Sequence, residues 1–524
     1  MRGILLQVMT PPCDPIRPVS DLLRRPCTLM LAHPTPSASL PDPLTLDDDH
    51  PHEECAVFGI WNAKDAAPLT TLGLHALQHR GQEAAGIVCF DPQERRFHSH
   101  RGLGLVSDVF ADSRVMATLK GTRAIGHNRY ATTGATLLRN VQPLFAEFAF
   151  GGLAVAHNGN LTNADTLRSE LIRRGCLFQS TTDSEVFIHL IAISLYATVE
   201  DRLIDALKRV TGAYSLVVLS EEALIGVRDP MGVRPLVLGK LPSEDGKQPS
   251  WVLASETCGL DIIGAEFVRD VEPGELVVID ENGIRSLRPF GDTHPRFCVF
   301  EYIYFARPDS VLEGLPVYEV RKQIGHELAR ESHVDADVVV PVPDSGVPSA
   351  IGYAEASGIP FELGIIRNHY VGRTFIEPTD QIRHLGVKMK HSPNRPILSG
   401  KRVILVDDSI VRGTTSRKIV DMVRAAGATE VHMRISSPPT RHSCFYGIDT
   451  PERSKLLAAQ NDLKAMAELI GVDSLAFISL DGLYRAMGYK DRQSSDARYC
   501  DACFTGEYPI PLIDHDAEFG PGTA

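Results

Sequence analysis

The stretch Val403-Ile404-Leu405-Val406-Asp407-Asp408-Ser409-Ile410-Val411-Arg412-Gly413-Thr414-Thr415-Ser416 decides the fold of the second half of this chain. Four branched apolar residues bounded by turn residues read as a strand buried on both faces. Two adjacent carboxylates at its end repel each other unless a cation or hydroxyls engage them. The following loop supplies Gly413 for close backbone approach, then Thr414, Thr415 and Ser416 at a helix start. In that helix Ile419, Val420, Val423 and Ala426 keep helical spacing, and Gly427 ends it as a C-cap. Hydroxyls beside a helix N-terminus make an anion site. For a lone pair of aspartates an exposed strand-end loop is the bland alternative; the whole string argues against it.

The same grammar appears earlier. Val338-Val339-Val340-Pro341 leads into the loop Val342-Pro343-Asp344-Ser345-Gly346-Val347-Pro348 and a helix-like stretch at 349–357. Strand, loop and helix repeated in this way indicate a parallel sheet. The loop fits a pyrophosphate and metal contact. Between the two strand-end loops, residues 367–390 carry Arg367, Arg373, Arg383, Lys388 and Lys390. A long basic loop beside an anion site reads as a closing lid, the alternative being a solvated charged face. Residues 451–490 read as helical.

Composition bounds the rest. The 524 residues suggest about three domains, and 43% hydrophobic with 23% charged residues is ordinary for globular proteins. Whole-chain disorder, collagen and a disulfide scaffold are excluded. A net charge of −13 argues against nonspecific nucleic-acid binding. No apolar stretch approaches the roughly 20 residues that span a bilayer. Residues 1–54 are proline-rich, end near Asp47-Asp48-Asp49 and carry no secretory signal. They read as a tail, partly an upstream start, or as a leader to be removed. A cytoplasmic, reducing setting follows, so the ten cysteines are expected as thiols or metal ligands.

Before a composition break near 286–297 the chain is strand-rich. Cys55, in HEECAVFGI, would alone be an ordinary buried residue. Downstream stand His79-Arg80-Gly81-Gln82-Glu83, Gly126-His127-Asn128-Arg129-Tyr130, His157-Asn158-Gly159-Asn160-Leu161 and Thr182-Asp183-Ser184-Glu185. Together these resemble the N-terminal-nucleophile (class II) glutamine amidotransferase domain over about 55–285. The chemistry suits them. A thiol near pKa 8.5 is mostly protonated, and the α-amine of an N-terminal cysteine can serve as its base. That requires removal of residues 1–54 as a propeptide. The resemblance implies an αββα sandwich with Cys55 as nucleophile, and Asn158 and the Gly159 N–H as oxyanion hole. It also implies glutamine contacts from Arg80 and Gly81, with Arg129 pairing the α-carboxylate and Asp183 the α-ammonium.

The 403–416 string resembles the phosphoribosyl-pyrophosphate motif of type I phosphoribosyltransferases. By that likeness Asp407 and Asp408 hold the ribose hydroxyls and one Mg²⁺, with Ser345 a further metal ligand. Ser409, Arg412, Gly413, Thr414, Thr415 and Ser416 hold the 5′-phosphate, and Arg373 and Lys388 reach the substrate from the lid. Glutaminase followed by phosphoribosyltransferase resembles the amidophosphoribosyltransferase family over roughly 55–510, helped by Glu301-Tyr302-Ile303-Tyr304-Phe305-Ala306-Arg307-Pro308-Asp309-Ser310. Residues 1–54 are longer than the leader expected there. Cys500 and Cys503 form a CxxC, while Cys298 and Cys444 stand apart. Four thiolates suit zinc or an iron–sulfur cluster equally by spacing. The iron–sulfur branch of the family implies one 4Fe–4S cluster per subunit at these four. Cys89, Cys176 and Cys258 are expected to be buried packing residues.

The expectation is an α/β and α+β protein with a leader at 1–54, a glutaminase sandwich at 55–290, a parallel-sheet phosphoribosyltransferase domain at 291–450, and a helical segment at 451–524. Glutamine and phosphoribosyl pyrophosphate are the implied substrates, purine nucleotides the implied feedback inhibitors, and a homotetramer the implied assembly, with no nucleic-acid or membrane partner. Two rivals are another class II amidotransferase aminating a different sugar phosphate, which Asp407-Asp408 argues against, and a non-catalytic nucleotide sensor, which the complete nucleophile and clamp argue against.

Overall fold

A computed structural model describes residues 55–130, 137–242, 248–368, 390–496 and 498–515. Its first half runs through β1 (Ala56–Trp61), β2 (Ala84–Asp91), β3 (Arg96–Leu103), β4 (Arg123–Arg129), β5 (Leu144–Phe148), β6 (Gly151–Leu161) and β7 (Gly212–Ser220). It continues with β8 (Leu224–Arg228), β9 (Val237–Leu241), β10 (Ser250–Ala254), β11 (Glu266–Asp270), β12 (Leu276–Asp280) and β13 (Gly283–Leu287). They form two sheets, ordered β11-β9-β10-β1-β4-β2-β3 and β13-β12-β8-β7-β6-β5.

Period-two alternation explains how the sheets stack. Along β1, Ala56, Phe58 and Ile60 enter the core beneath helix α1 (Ala66–Ala76), whereas Val57 and Trp61 enter the core between the sheets. Along β7, Val217 and Leu219 meet them there, while Leu216 and Val218 face the other way. That outer face is covered by α2 (Ala164–Arg173), α3 (Glu185–Ile193) and α4 (Val199–Leu207) through Leu167, Leu171, Phe187 and Leu203. The result is the expected four-layer αββα sandwich.

The second half is built on a parallel sheet in the order β14 (Val338–Pro341), β15 (Arg402–Asp407), β16 (Glu430–Ile435), β17 (Ser474–Phe477). Both faces are apolar, which explains its unbroken runs of Val, Ile and Leu. Val338, Val340, Val403 and Leu405 pack toward α7 (Thr414–Ala425). Val339, Ile404 and Val406 join the large core that includes α5 (Val317–Glu331) and α6 (Val347–Ser357). α6 begins two residues before its apolar spacing predicts, because Pro348 fits a helix's first turn.

Residues 451–490 depart from the all-helical reading. Helix α8 (Leu463–Ile470) and α9 (Leu480–Ala486) flank β17, which pairs in parallel with β16 and completes the sheet. Four residues with one edge partner leave too short an alternation for periodicity to register. The halves are joined at 297–306. Phe297–Cys298 pairs in parallel with Tyr499–Cys500, and a π-helical turn at Glu301–Phe305 lies in the shared core. No helix among the described residues is long and apolar enough to cross a membrane.

Candidate active sites

The antiparallel pairing of β1 with β4 sets Ala56 opposite Asn128, so Cys55 lies where β4 ends in Arg129 and Tyr130. The Cys55 thiol is buried and donates to the Tyr130 carbonyl at 3.5 Å. Burial pushes this thiol up, and the Arg129 charge pulls it back, with Asp183 acting the other way. Arg129 and Asp183 thus act on this thiol as opposite charges. Arg129 donates to the Asn140 carbonyl at 3.0 Å. Gly81 lies over it so closely that a Cβ would meet the Arg129 backbone at 2.8 Å.

Asn158 and Gly159 lie near the end of β6. The Asn158 amide is buried, and neither its nitrogen nor its oxygen has a protein partner. A buried amide without partners is costly and is rare outside functional sites. Gly159 has φ +143, and a Cβ there would lie 2.0 Å from the Ala213 carbonyl oxygen, so only glycine fits. The Asp183 carboxylate accepts from Leu161 N–H at 3.0 Å and from Ser184 Oγ at 3.3 Å. Ser184 Oγ also meets His157 Nδ1 at 3.0 Å and accepts from Gln142 Nε2 at 3.1 Å. Burial pushes His127 down to about 3, so it is neutral, with Nε2 3.0 Å from the His157 carbonyl. Gln142 carries no signal in the sequence, and Ser184 stands there only inside Thr182-Asp183-Ser184-Glu185 with no role of its own; their contacts are made across the sandwich.

The Arg80 guanidinium is fully buried and forks onto Glu301 at 2.7 and 2.9 Å and Glu256 at 2.7 Å. Its Nε donates to the Cys55 carbonyl at 3.3 Å. Burial disfavours charge on Glu256, yet His79, Arg80 and Ser310 overcome this and hold it well below the usual carboxylate range. Glu256 also receives the Arg307 N–H at 2.9 Å, while Arg234 stands 3.6 Å from Glu301 and donates to the Tyr446 carbonyl at 2.6 and 2.8 Å. Glu256, alone among charges in Ala254-Ser255-Glu256-Thr257-Cys258, was the one local hint of this network.

In the second half, adjacent parallel strands bring the two strand-end loops together at the carboxyl edge of the sheet. Val342 N–H donates to the Val406 carbonyl at 2.8 Å, which lays the 342–348 loop, with Ser345, against the start of Asp407-Asp408. Both aspartates are buried. Asp407 accepts from Asp408 N–H at 2.9 Å, and Asp408 from Ser409 Oγ at 2.5 Å. Gly413, left-handed at φ +80, turns the chain into α7, whose first residues are Thr414, Thr415 and Ser416. Arg412 and Thr414 are exposed, whereas Thr415 and Ser416 are buried. Arg367 pairs with Asp344 at 2.6 Å. Arg373 and Lys388 lie outside the described residues.

Cys298, Cys500 and Cys503 are buried and Cys444 is half-buried, all as free thiols. Cys298 is the register partner of Cys500. Burial pushes Cys500 up to about 12, with the Cys444 charge adding to it; Cys503 is raised by burial and then by Cys298, Cys500 and Cys444. Four thiols from three distant segments are thus gathered into one region. Cys89 and Cys258 are buried packing residues as expected, and Cys176 is half-buried.

A model of the glutamine amidotransferase domain matches residues 127–261, and one of the phosphoribosyl transferase domain matches 319–437. The chain is 57% identical to the amidophosphoribosyltransferase of Rhizobium etli, covering 92% of this chain and 97% of that protein. Against the amidophosphoribosyltransferase of Bacillus subtilis it is 49% identical, covering 88% and 95%. A solved structure of glutamine phosphoribosylpyrophosphate amidotransferase from B. subtilis, complexed with ADP and GMP, matches with a TM-score of 0.82 and 48% identity, over 87% of this chain and 98% of that one. A buried thiol at the start of β1, joined to two strand-end loops at the carboxyl edge of a parallel sheet, agrees with these likenesses. The chain belongs to the amidophosphoribosyltransferase family, glutamine-dependent pentosyltransferases that carry out the first step of purine biosynthesis, in which ammonia from glutamine displaces pyrophosphate from phosphoribosyl pyrophosphate to give phosphoribosylamine.

Proposed function

We propose that residues 55–290 form the glutaminase and 291–450 most of the synthase, with β17 completing its sheet, and that Cys55 becomes the first residue after removal of 1–54. The α-amine freed by that cut takes the thiol proton, which burial otherwise holds in place. The thiolate attacks the glutamine carboxamide carbon. The Asn158 amide and Gly159 N–H stabilise the oxyanion, ammonia leaves, and water cleaves the thioester to glutamate. Arg129 and Asp183 hold the substrate's α-carboxylate and α-ammonium, with Gly81 allowing the approach. The observation that carries this reading is the buried, unpartnered Asn158 amide on the strand end that leads to Asp183's partner Leu161.

In the second site, Asp407 and Asp408 bind the ribose hydroxyls, and residues 409–416 the 5′-phosphate through helix N–H groups and hydroxyls. Asp407, Asp408 and Ser345 offer hard oxygen donors that would hold Mg²⁺, which would supply positive charge for the pyrophosphate leaving group. The ammonia lone pair attacks C1 as the C1–O bond breaks, with Arg373 and Lys388 as further substrate contacts. Four thiols gathered from three distant segments support a structural 4Fe–4S cluster on Cys298, Cys444, Cys500 and Cys503, as in the iron–sulfur branch of the family. Purine nucleotides as inhibitors fit the ADP and GMP in the B. subtilis structure. A homotetramer in the cytoplasm completes the reading. The test is N-terminal sequencing of the purified enzyme with glutaminase assays: Cys55 should be the first residue, and Asn158→Ala should lower hydrolysis about 100-fold. An active enzyme that retains Glu54 overturns the base assignment.

A further inference from the structure

Helix α2 is capped from outside. Its N-cap residue, Asn163, makes no capping bond, because its amide donates to the Arg209 carbonyl at 2.9 Å and accepts from Thr211 N–H at 2.9 Å. Asp514, 349 residues beyond Asp165, supplies the cap. Its carboxylate accepts from Asp165 N–H at 2.8 Å, Thr166 N–H at 3.2 Å and Thr166 Oγ at 2.6 Å. A carboxylate there satisfies otherwise orphaned N–H groups and faces the positive end of the helix dipole. The same segment reaches the end of β6: Asp514 N–H donates to the Thr162 carbonyl at 2.9 Å, and the Pro511 carbonyl accepts from Thr162 Oγ at 2.7 Å. One residue after Gly159, Asn160 Nδ2 donates to the Phe445 carbonyl at 3.0 Å.

The end of β6 is therefore held on two sides. Inside, Leu161 N–H bonds the Asp183 carboxylate; outside, Thr162 and the first turn of α2 are tied down by 511–514. We propose that residues 511–514 are a strap that positions the glutamine site, with Asp514 as its positioning residue. The strap fixes the Asn158–Gly159 strand end and Asp183 relative to Cys55, and so rests on the glutamine-site reading above. Without it the strand end samples other positions, and the fraction of molecules with donors and clamp in place falls.

The test uses the full-length holoenzyme and compares glutamine-dependent with ammonia-dependent synthesis. Asp514→Ala should raise the KM for glutamine and lower kcat/KM roughly fivefold, the size of a lost helix cap. Synthesis from free ammonia should be unchanged. Asp514→Asn should recover most of the loss, since asparagine caps about as well as aspartate. Hydrogen exchange at the Asp165 and Thr166 amides should quicken in the alanine variant and not in the asparagine one. Unaltered glutamine kinetics in Asp514→Ala, or equal loss of both activities, would overturn the strap. Cys55→Ala run in parallel separates the two ideas, because glutamine-dependent activity surviving there overturns the underlying site reading instead.

Discussion

Arg80 and Glu301 stand 221 residues apart and meet as a two-pronged ion pair, at 2.7 and 2.9 Å, with neither side chain exposed. The pair links the carbonyl of Cys55, which Arg80 also holds, to the turn that joins the two halves. Two charges taken out of water are tolerated only while both are present and hydrogen-bonded.

Replacing Glu301 with Gln should therefore destabilise the protein by about 3 kcal/mol, and Arg80→Lys by a similar amount, since an ammonium cannot fork onto two carboxylates. Chemical denaturation of the purified variants measures this. A change under about 1 kcal/mol for either would show that the pair adds little.

Cys55→Ala should abolish glutamine-dependent synthesis and leave synthesis from high ammonia intact, because the phosphoribosyl site lies in the other half. Steady-state assays with each nitrogen donor decide it. Equal loss with both donors would refute two separable sites.

Asp407→Asn and Asp408→Asn should do the opposite. Basal glutamine hydrolysis should survive while phosphoribosylamine formation falls at least 100-fold, through lost charge on the metal and ribose hydroxyls. Synthesis retained with both replaced would sink the assignment.

Burial holds His127 neutral down to about pH 3, whereas the unfolded chain protonates this residue near pH 6.5. Its contribution is fully present above about pH 6.5 and drains as pH falls toward 3, at up to about 1.4 kcal/mol per pH unit. In His127→Gln the loss of stability between pH 6.5 and pH 5 should be smaller by roughly 2 kcal/mol. Denaturant midpoints of both proteins at several pH values test this, and parallel profiles would contradict it.

Anaerobically purified protein should be brown with about four irons per chain, and Cys500→Ser should give insoluble or iron-free protein. Metal analysis with the visible spectrum checks this. A colourless, active, zinc-containing preparation would favour a zinc site instead.

The sequence by itself determined the local elements and, through its motifs, the candidate residues they carry. The apolar run at 56–60, the apolar run ending in Asp407-Asp408 and the spacing of Ile419, Val420 and Val423 are short-range signals, each read from a few neighbouring residues. Tertiary structure alone decided which charges met. Arg80 sits in a motif that suggests a substrate contact, but two carboxylates brought from Glu256 and Glu301 occupy its guanidinium. Only the folded chain paired the short strand Ser474–Phe477 with β16, gathered Cys298, Cys444, Cys500 and Cys503, and set Asp514 on the first turn of α2. Periodicity reports the environment of a residue within a few neighbours, whereas a buried charge, an edge strand or a helix cap takes whatever partner the packed core places within about 3 Å, at any distance along the chain.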